Sequence, residues 1–280
     1  MNFYKLLKYD LKNGFRVGGL KLMIIILMTL AFCLDFYLRK DIVYMVDPLT
    51  PSGTWMDYLF YIFAGIKEYT PSITEEFIFP IKWILIHLFI LYSTLYYPHR
   101  DLSSLGLNVL VRTKGRLAWW LSKSIWNISY VLSCYISIFL TIIIFCLVAN
   151  EPISLEITPM FVNDLLDAGS PFDTFPSYLA SIILLMPMFI SIVLNLVQMT
   201  LGLFIKPLYS FGMMAVILLA SAYFLNPFFI GNYAMPIRSE YVIENGLQAT
   251  TGVMLSALIM TLAFLIGSFY FKRYDILAEE

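Results

Sequence analysis

Six long apolar runs are the feature that most constrains how this chain of 280 residues can fold. A helix needs about 20 predominantly apolar residues to cross about 30 Å of hydrocarbon. The runs lie at 20–38, 81–97, 127–149, 178–205, 208–225 and 251–271. They predict an all-α polytopic membrane protein, with one transmembrane domain of six helices over residues 1–280.

The composition supports this fold class. Hydrophobic residues make up 60% of the chain and charged residues 13%, whereas soluble domains carry about 25% charged residues. These values exclude a disordered chain and an ordinary soluble enzyme. The net charge of −1 excludes a broadly basic protein, so we expect no nucleic-acid partner.

The N-terminus and the cysteines suggest no processing or cross-linking. The first apolar run begins only near Leu20 and is not followed by a small-residue cleavage site, so we expect no cleavable signal peptide. Cys33, Cys134 and Cys146 all lie in apolar runs without CxxC spacing. They are therefore predicted to pack in the core rather than to form disulfides or a zinc site.

The distribution of basic residues predicts the orientation. If the N-terminus is cytoplasmic, the inside segments hold thirteen Lys and Arg residues and the outside segments hold five. Such a bias is typical of cytoplasmic loops. We therefore expect both termini inside and external loops at 39–80, 150–177 and 226–250.

The three predicted external loops differ in composition. Trp55–Ile66 is apolar but too short to cross a bilayer, which predicts an interfacial or re-entrant helix. Residues 226–250 predict a short re-entrant hairpin, with a surface loop rich in apolar residues as the alternative. Residues 150–177 carry five carboxylates and no Lys or Arg, so they predict an acidic external cap.

Few polar residues lie inside the predicted helices. His87, Asn195 and Gln198 are candidates for lining a substrate path, but each suits an interhelical hydrogen bond equally well or better. A coupled secondary transporter usually carries ionisable groups in its helices, and their scarcity here argues against that class.

No motif supports catalysis by this chain. The G-x-x-x-x-G-K-[ST], H-E-x-x-H and G-x-S-x-G patterns are all missing. Glu75-Glu76 resembles the acidic pair of CAAX-type intramembrane proteases, but position 80 is Pro80 where that family has an arginine. We expect neither an enzyme nor a metal or cofactor bound by this chain.

Residues 1–18 predict an amphipathic helix at the inner membrane surface. The apolar stripe is Phe3, Leu7, Leu11 and Phe15. The basic face is Lys5, Lys8, Lys12 and Arg16. The helix would anchor to anionic lipid or dock a partner, and Gly18-Gly19 predicts a hinge into the first span.

The cytoplasmic loop 99–125 contains five basic residues and two adjacent tryptophans. A short helix capped at its start and held under the bilayer would be well placed to receive a push from a soluble partner. A basic loop anchored by tryptophans is the alternative. The candidate residues are Asp101, Leu105, Arg112, Lys114, Arg116, Trp119, Trp120 and Lys123.

The pattern Arg112-x-x-x-Arg116-x-x-Trp119-Trp120-x-x-Lys123, placed between the second and third of six spans, resembles the membrane subunits of ABC exporters of the type-two permease class. The amphipathic N-terminus, the short Lys206-Pro207 turn, the NPFFIGNY stretch and the FKRYDIL ending are also similar. Firmicute members of this kind resemble permeases for peptide toxins, bacteriocins or self-immunity.

The resemblance implies a bacterial plasma-membrane permease that moves amphipathic peptides out of the cell. Two copies, or one copy and a sister permease, would pair, and two separate ATPase subunits carrying ATP and Mg would dock on the interface helix and the 99–125 loop. Fourteen Met and 47 aromatic residues suit an adaptable path for such cargo, but also lipid-facing packing. The alternatives are an exporter of lipids or hydrophobic drugs, and a stand-alone membrane immunity or binding protein.

Overall fold

A computed structural model describes residues 3–46, 52–69, 77–102 and 116–273. The regular structure within these ranges is helical. Its α-helices are α1 (Phe3–Val46), α2 (Trp55–Phe63), α3 (Ile81–Leu95), α4 (Tyr97–Leu102), α5 (Arg116–Ala149), α6 (Tyr178–Leu201), α7 (Pro207–Tyr223) and α8 (Ala249–Arg273).

Four of these helices are long and apolar enough to cross a membrane. They are α1, α5, α6 and α8, and they coincide with the first, third, fourth and sixth predicted spans. The helices at the second and fifth predicted spans, α3 and α7, contain 15 and 17 residues. Since about 20 residues are needed, the six-span arrangement stays a prediction.

α1 and α5 lie side by side and run in the same direction. Near their first turns Asp10 pairs with Lys123, and near their last turns Lys40 pairs with Glu151. At 1.5 Å per residue, the 44 residues of α1 span about 66 Å. The two helices therefore form one extended unit, which we call the α1/α5 pair.

Two glycines allow this close approach. A Cβ atom on Gly14 would lie 1.9 Å from Nε1 of Trp126, and one on Gly18 would lie 2.3 Å from Cε2 of Tyr130. The Tyr130 hydroxyl donates to the Gly18 carbonyl at 3.0 Å. α1 passes through Gly18-Gly19 without a break, so the predicted hinge is wrong. Residues 3–18 are helical as predicted, but they continue directly into the first predicted span.

The predicted 99–125 loop also ends earlier than expected. α5 begins at Arg116, so residues 116–125 are helical and continuous with the third predicted span. The pairing of this part of α5 with α1 explains the extension, because it gives the first turns of α5 a buried face.

α2 lies buried at the centre of the bundle, and its position relative to a membrane stays a prediction. All nine of its residues are buried, and it packs against α1, α3, α5 and α6. Thr54 and Asp57 make reciprocal capping bonds at its start. Asp57 also accepts from the Thr158 amide and hydroxyl at 2.8 and 2.9 Å, which ties α2 to the segment after α5.

The segment between α7 and α8 is irregular, and its residues 230–239 are buried. It contains two short 3₁₀ turns, Ile230–Ala234 and Pro236–Arg238, and the first of them packs against α6, α7 and α8. Trp83 of α3 donates to the Ala234 carbonyl at 2.9 Å. Irregular backbone of this kind needs protein partners when it is removed from water, and here α3 supplies one.

Arg238 donates hydrogen bonds to several backbone carbonyls around this segment. Its side chain is fully buried. The guanidinium donates to the carbonyls of Ser221 and Ala222 at the end of α7, to the Ile66 carbonyl beyond α2, and to the Asn232 side chain. Burial lowers the pKa of Arg238 to about 10, so the side chain stays protonated at neutral pH.

The close approach at Gly18 makes a testable prediction, with Gly19 as its matched control. A Cβ at Gly19 would meet nothing within 4 Å. We expect Gly18→Ala to lower the free energy of unfolding by about 1–3 kcal/mol, since the buried Tyr130 ring must move. Gly19→Ala should be neutral or stabilise by about 0.5–1 kcal/mol. Thermal unfolding in detergent measures both, and equal midpoints would contradict the packing of α1 on α5.

Candidate functional site

The basic residues at the start of α1 form one exposed row, which we call the basic row. It consists of Lys5, Lys8, Lys12 and Arg16, all of them exposed. Their spacings of three and four residues place them on one face of the helix. The structure thus agrees with the predicted basic face.

The buried face of α1 differs from the predicted apolar stripe. Phe3, Leu7, Leu11 and Phe15 are only half-buried. The buried positions are Leu6, Asp10, Gly14 and Gly18. A shift by one residue rotates a helix face by about 100°, and the cause is the carboxylate at position 10, which faces α5 instead of water.

Asp10 is the centre of a buried polar cluster between α1, α4 and α5. Asp10 and Lys123 are both fully buried, and the Lys123 Nζ lies 2.6 Å from the Asp10 Oδ1. The Ser122 hydroxyl donates to the other carboxylate oxygen, and the Tyr97 hydroxyl donates to Oδ1 at 3.3 Å. The ammonium of Lys123 also lies 4.5 Å from the centre of the Tyr97 ring. A buried ion pair needs such additional hydrogen bonds to offset its desolvation.

Three residues predicted to contact a soluble partner lie in the interior instead. Lys123 is in the Asp10 cluster. Trp119 stacks on Phe271 of α8 with ring centres 4.5 Å apart, and the Trp120 indole N–H donates to the Phe264 carbonyl at 3.3 Å. All three side chains are buried, so in this conformation they hold α5 against α1 and α8 and offer no surface for docking.

The structure describes only some of the other predicted docking residues. Arg116 is exposed at the start of α5 and donates to the Lys272 carbonyl at 2.9 Å. Asp101 lies in α4. Leu105, Arg112 and Lys114 lie outside the described residues.

Two of the candidate path residues join α3 to α6. The Asn195 amide donates to the Ser191 carbonyl, and its Oδ1 accepts from the Thr94 hydroxyl at 2.5 Å. The Gln198 Nε2 donates to the Leu91 carbonyl at 2.9 Å. Both side chains are buried, so they act as interhelical hydrogen bonds within one chain.

His87 is also buried, one helical turn from Trp83. Its Nδ1 lies 2.8 Å from the Trp83 carbonyl oxygen, and its ring centre lies 6.0 Å from that of Phe63 in an edge-on arrangement. The three candidate path residues therefore lie buried along the α3 and α6 contacts, and their role in a substrate path stays a prediction.

A second buried ion pair lies at the far end of the α1/α5 pair. Lys40 and Glu151 contact each other, and their side chains are 7% and 5% exposed. The sequence reasoning missed both buried pairs. The four-residue spacing of Leu6, Asp10, Gly14 and Gly18 was the available signal, because small residues at that spacing mark helix–helix contacts.

Potential metal ligands are scattered through the described part of the chain. No group of three or more His, Cys, Asp or Glu side chains there is arranged to hold a metal ion. Cys33, Cys134 and Cys146 are buried free thiols, in agreement with their predicted packing role.

Comparisons with protein-family models, with curated proteins and with solved structures find no match for this chain. The resemblance to ABC exporter permeases therefore rests on its sequence motifs.

The buried Asp10–Lys123 pair predicts a non-additive stability loss. Asp10→Leu or Lys123→Met alone leaves one buried charge without its partner and should cost about 3–5 kcal/mol. The double variant should lose much less, since both charges are then absent. Unfolding of purified protein by sodium dodecyl sulfate in mixed micelles measures the three free energies.

The Arg39–Asp35 pair provides the control, because the side chains of Arg39 and Asp35 are 56% and 38% exposed. Arg39→Gln should cost at most about 1 kcal/mol. Additive losses in the double variant would show that Asp10 and Lys123 do not interact.

Proposed function

We propose that this chain is the membrane-spanning permease subunit of an ATP-driven ABC exporter that moves amphipathic peptides. ATP and Mg would be bound by a separate ATPase, present in two copies. The observation that carries the proposal is the basic row, which is an exposed charged surface at the start of α1. The other face of α1 is held to α5 by the buried ion pair of Asp10 and Lys123.

This arrangement suits the transmission of force. α1 continues from the basic row into its apolar part without interruption, and buried ion pairs hold it to α5 near both ends. A partner that pushed on the basic row would move α1 and α5 together. A soluble ATPase that closes on ATP could therefore shift the permease between two states.

The same proposal places the cargo path between two permease copies. His87, Asn195 and Gln198 are engaged inside one chain, so they leave little polar lining within it. α8 presents large apolar side chains outward, with Met254, Leu258 and Phe269 at least 57% exposed. A second copy or a sister permease would cover part of this surface, and membrane lipid the rest.

The membrane arrangement belongs to the proposal as well. We infer six spans in a bacterial plasma membrane, with both termini in the cytoplasm and with residues 226–250 entering the membrane from outside. The short α3 and α7 would reach both interfaces with help from their flanking residues.

A stand-alone immunity or peptide-binding protein is the second candidate function. The open cleft between residues 54 and 177, on the end of the bundle away from the basic row, would let such a protein sequester a peptide without ATP. Protection that persisted in cells lacking every neighbouring ATPase gene would favour this candidate.

The proposal predicts that the basic row is needed for ATPase docking. Replacing Lys5, Lys8 and Lys12 together by Gln removes three exposed cations and should weaken capture of a co-expressed neighbouring ATPase by about tenfold, in a salt-dependent manner. Affinity purification in mild detergent, followed by ATP hydrolysis assays, measures the loss.

Lys67→Gln serves as the matched control, because Lys67 is an exposed cation at the other end of the bundle. Capture should be unchanged by this variant. If the triple variant captured the ATPase as well as the wild type does, or if no ATPase co-purified at all, the proposed docking would be wrong.

The inferred orientation predicts a simple labelling pattern. In a background with the three cysteines replaced by Ser or Ala, Lys8→Cys should react with a membrane-impermeant maleimide only after the cells are opened. Asp173→Cys should react in intact cells. Labelling of both positions from the same side would contradict the orientation.

A further inference from the structure

An open cleft lies on the end of the bundle away from the basic row. Thr54 and residues 155–160, 163–164 and 172–177 line it, and its volume is about 790 Å³. Pockets for small molecules usually contain about 300–1,000 Å³. The cleft opens at the surface, so it can hold a few residues of an extended peptide that continues past its mouth.

The carboxylates of residues 150–177 divide into two groups. Glu151 pairs with Lys40, and Asp167 pairs with Lys67. Glu156, Asp164 and Asp173 are exposed and have no Lys or Arg within 4.0 Å in the described ranges. These three all line the cleft, and none of the described residues that line it is Lys or Arg.

Apolar side chains lie between these carboxylates. Ile157, Met160 and Phe175 are half-buried in the cleft wall. Leu155 and Phe172 are 57% and 38% exposed. Exposed apolar groups next to unpaired charges of one sign form a surface that is amphipathic and anionic.

The wall is held in place before any ligand arrives. The Thr54 hydroxyl donates to the Glu156 carbonyl at 2.6 Å. The Asn163 Oδ1 accepts from the Ser170 amide at 2.8 Å, which closes the loop that follows Asp164. A site ordered in advance loses less conformational entropy when it binds.

We propose that this cleft binds a cationic, amphipathic peptide segment. Spaced Lys or Arg side chains would pair with Glu156, Asp164 and Asp173, and apolar side chains would contact Phe172 and Leu155. A single metal ion fits less well, because no three acidic side chains in the described part of the chain converge on one point. The inference rests on the proposed function for its setting, and it names the charge of the cargo.

The test uses the full-length protein in nanodiscs of phosphatidylcholine, a lipid without net charge. The probe is a fluorescent amphipathic peptide of lysine and leucine, and its comparison peptide has glutamate in place of every lysine. Fluorescence anisotropy measures both affinities, with empty nanodiscs as the blank. We expect saturable binding of the lysine peptide alone, weakened by added salt.

The variant Glu156→Gln, Asp164→Asn, Asp173→Asn removes the three charges without changing side-chain size. Exposed ion pairs contribute little individually, so we expect about tenfold weaker binding for the three together. Asp167→Asn is the matched control, since Asp167 lies in the same segment but outside the cleft, and it should bind like the wild type. Phe172→Ala is a second variant that leaves every charge in place, and it should also bind more weakly.

Equal binding of the two peptides, or equal binding by the triple variant and Asp167→Asn, would overturn the inference. The assay contains no ATPase, so it separates the two proposals. Loss of the cleft inference with intact ATPase capture would leave the exporter proposal standing. Peptide binding without ATPase capture would support the cleft in a stand-alone protein.

Discussion

The two buried ion pairs between α1 and α5 are the constraint on which the rest of the structure depends. Positions 10 and 40 are about 45 Å apart along α1, which is close to the thickness of a bilayer with its headgroups, about 40–45 Å. Each pair loses hydration when it is buried, and its net stabilisation is correspondingly small. Its larger effect is on register, because sliding α1 along α5 by one turn would leave four charges buried without partners.

The remaining elements fill the space beside this pair. α2 is too short to cross a bilayer, yet it is wholly buried, and the irregular segment between α7 and α8 is buried close to it. Arg238 joins the two, since its guanidinium reaches backbone carbonyls beyond α2 and at the end of α7. The centre of the bundle is therefore built from segments that a span-by-span description treats as loops.

The long apolar runs predicted the helices, because a backbone segment in lipid has to form its hydrogen bonds within the protein and a helix does so within one segment. It could not predict the face that α1 buries. Asp10 lies among basic residues and looks like a solvated charge, whereas its partner, Lys123, is more than a hundred positions away. Lys123 in turn looked like a cytoplasmic docking residue because positive charge is common on that side. Interactions between distant residues decided both cases. The four-residue spacing of Gly14 and Gly18 marks the contact face of α1, but no local pattern identifies Lys123 as the partner of Asp10.

Arg238 has a consequence for which substitutions this fold tolerates. Five N–H donors in a planar fork are distributed over carbonyls from two chain segments and the Asn232 side chain. Lysine has three donors on one atom and cannot reach them together. Replacing Arg238 would therefore leave buried carbonyls of both segments without donors, and replacing Asn232 would remove an acceptor from the guanidinium. This irregular stretch consequently tolerates less substitution than the exposed apolar sides of the helices, where one apolar side chain can replace another.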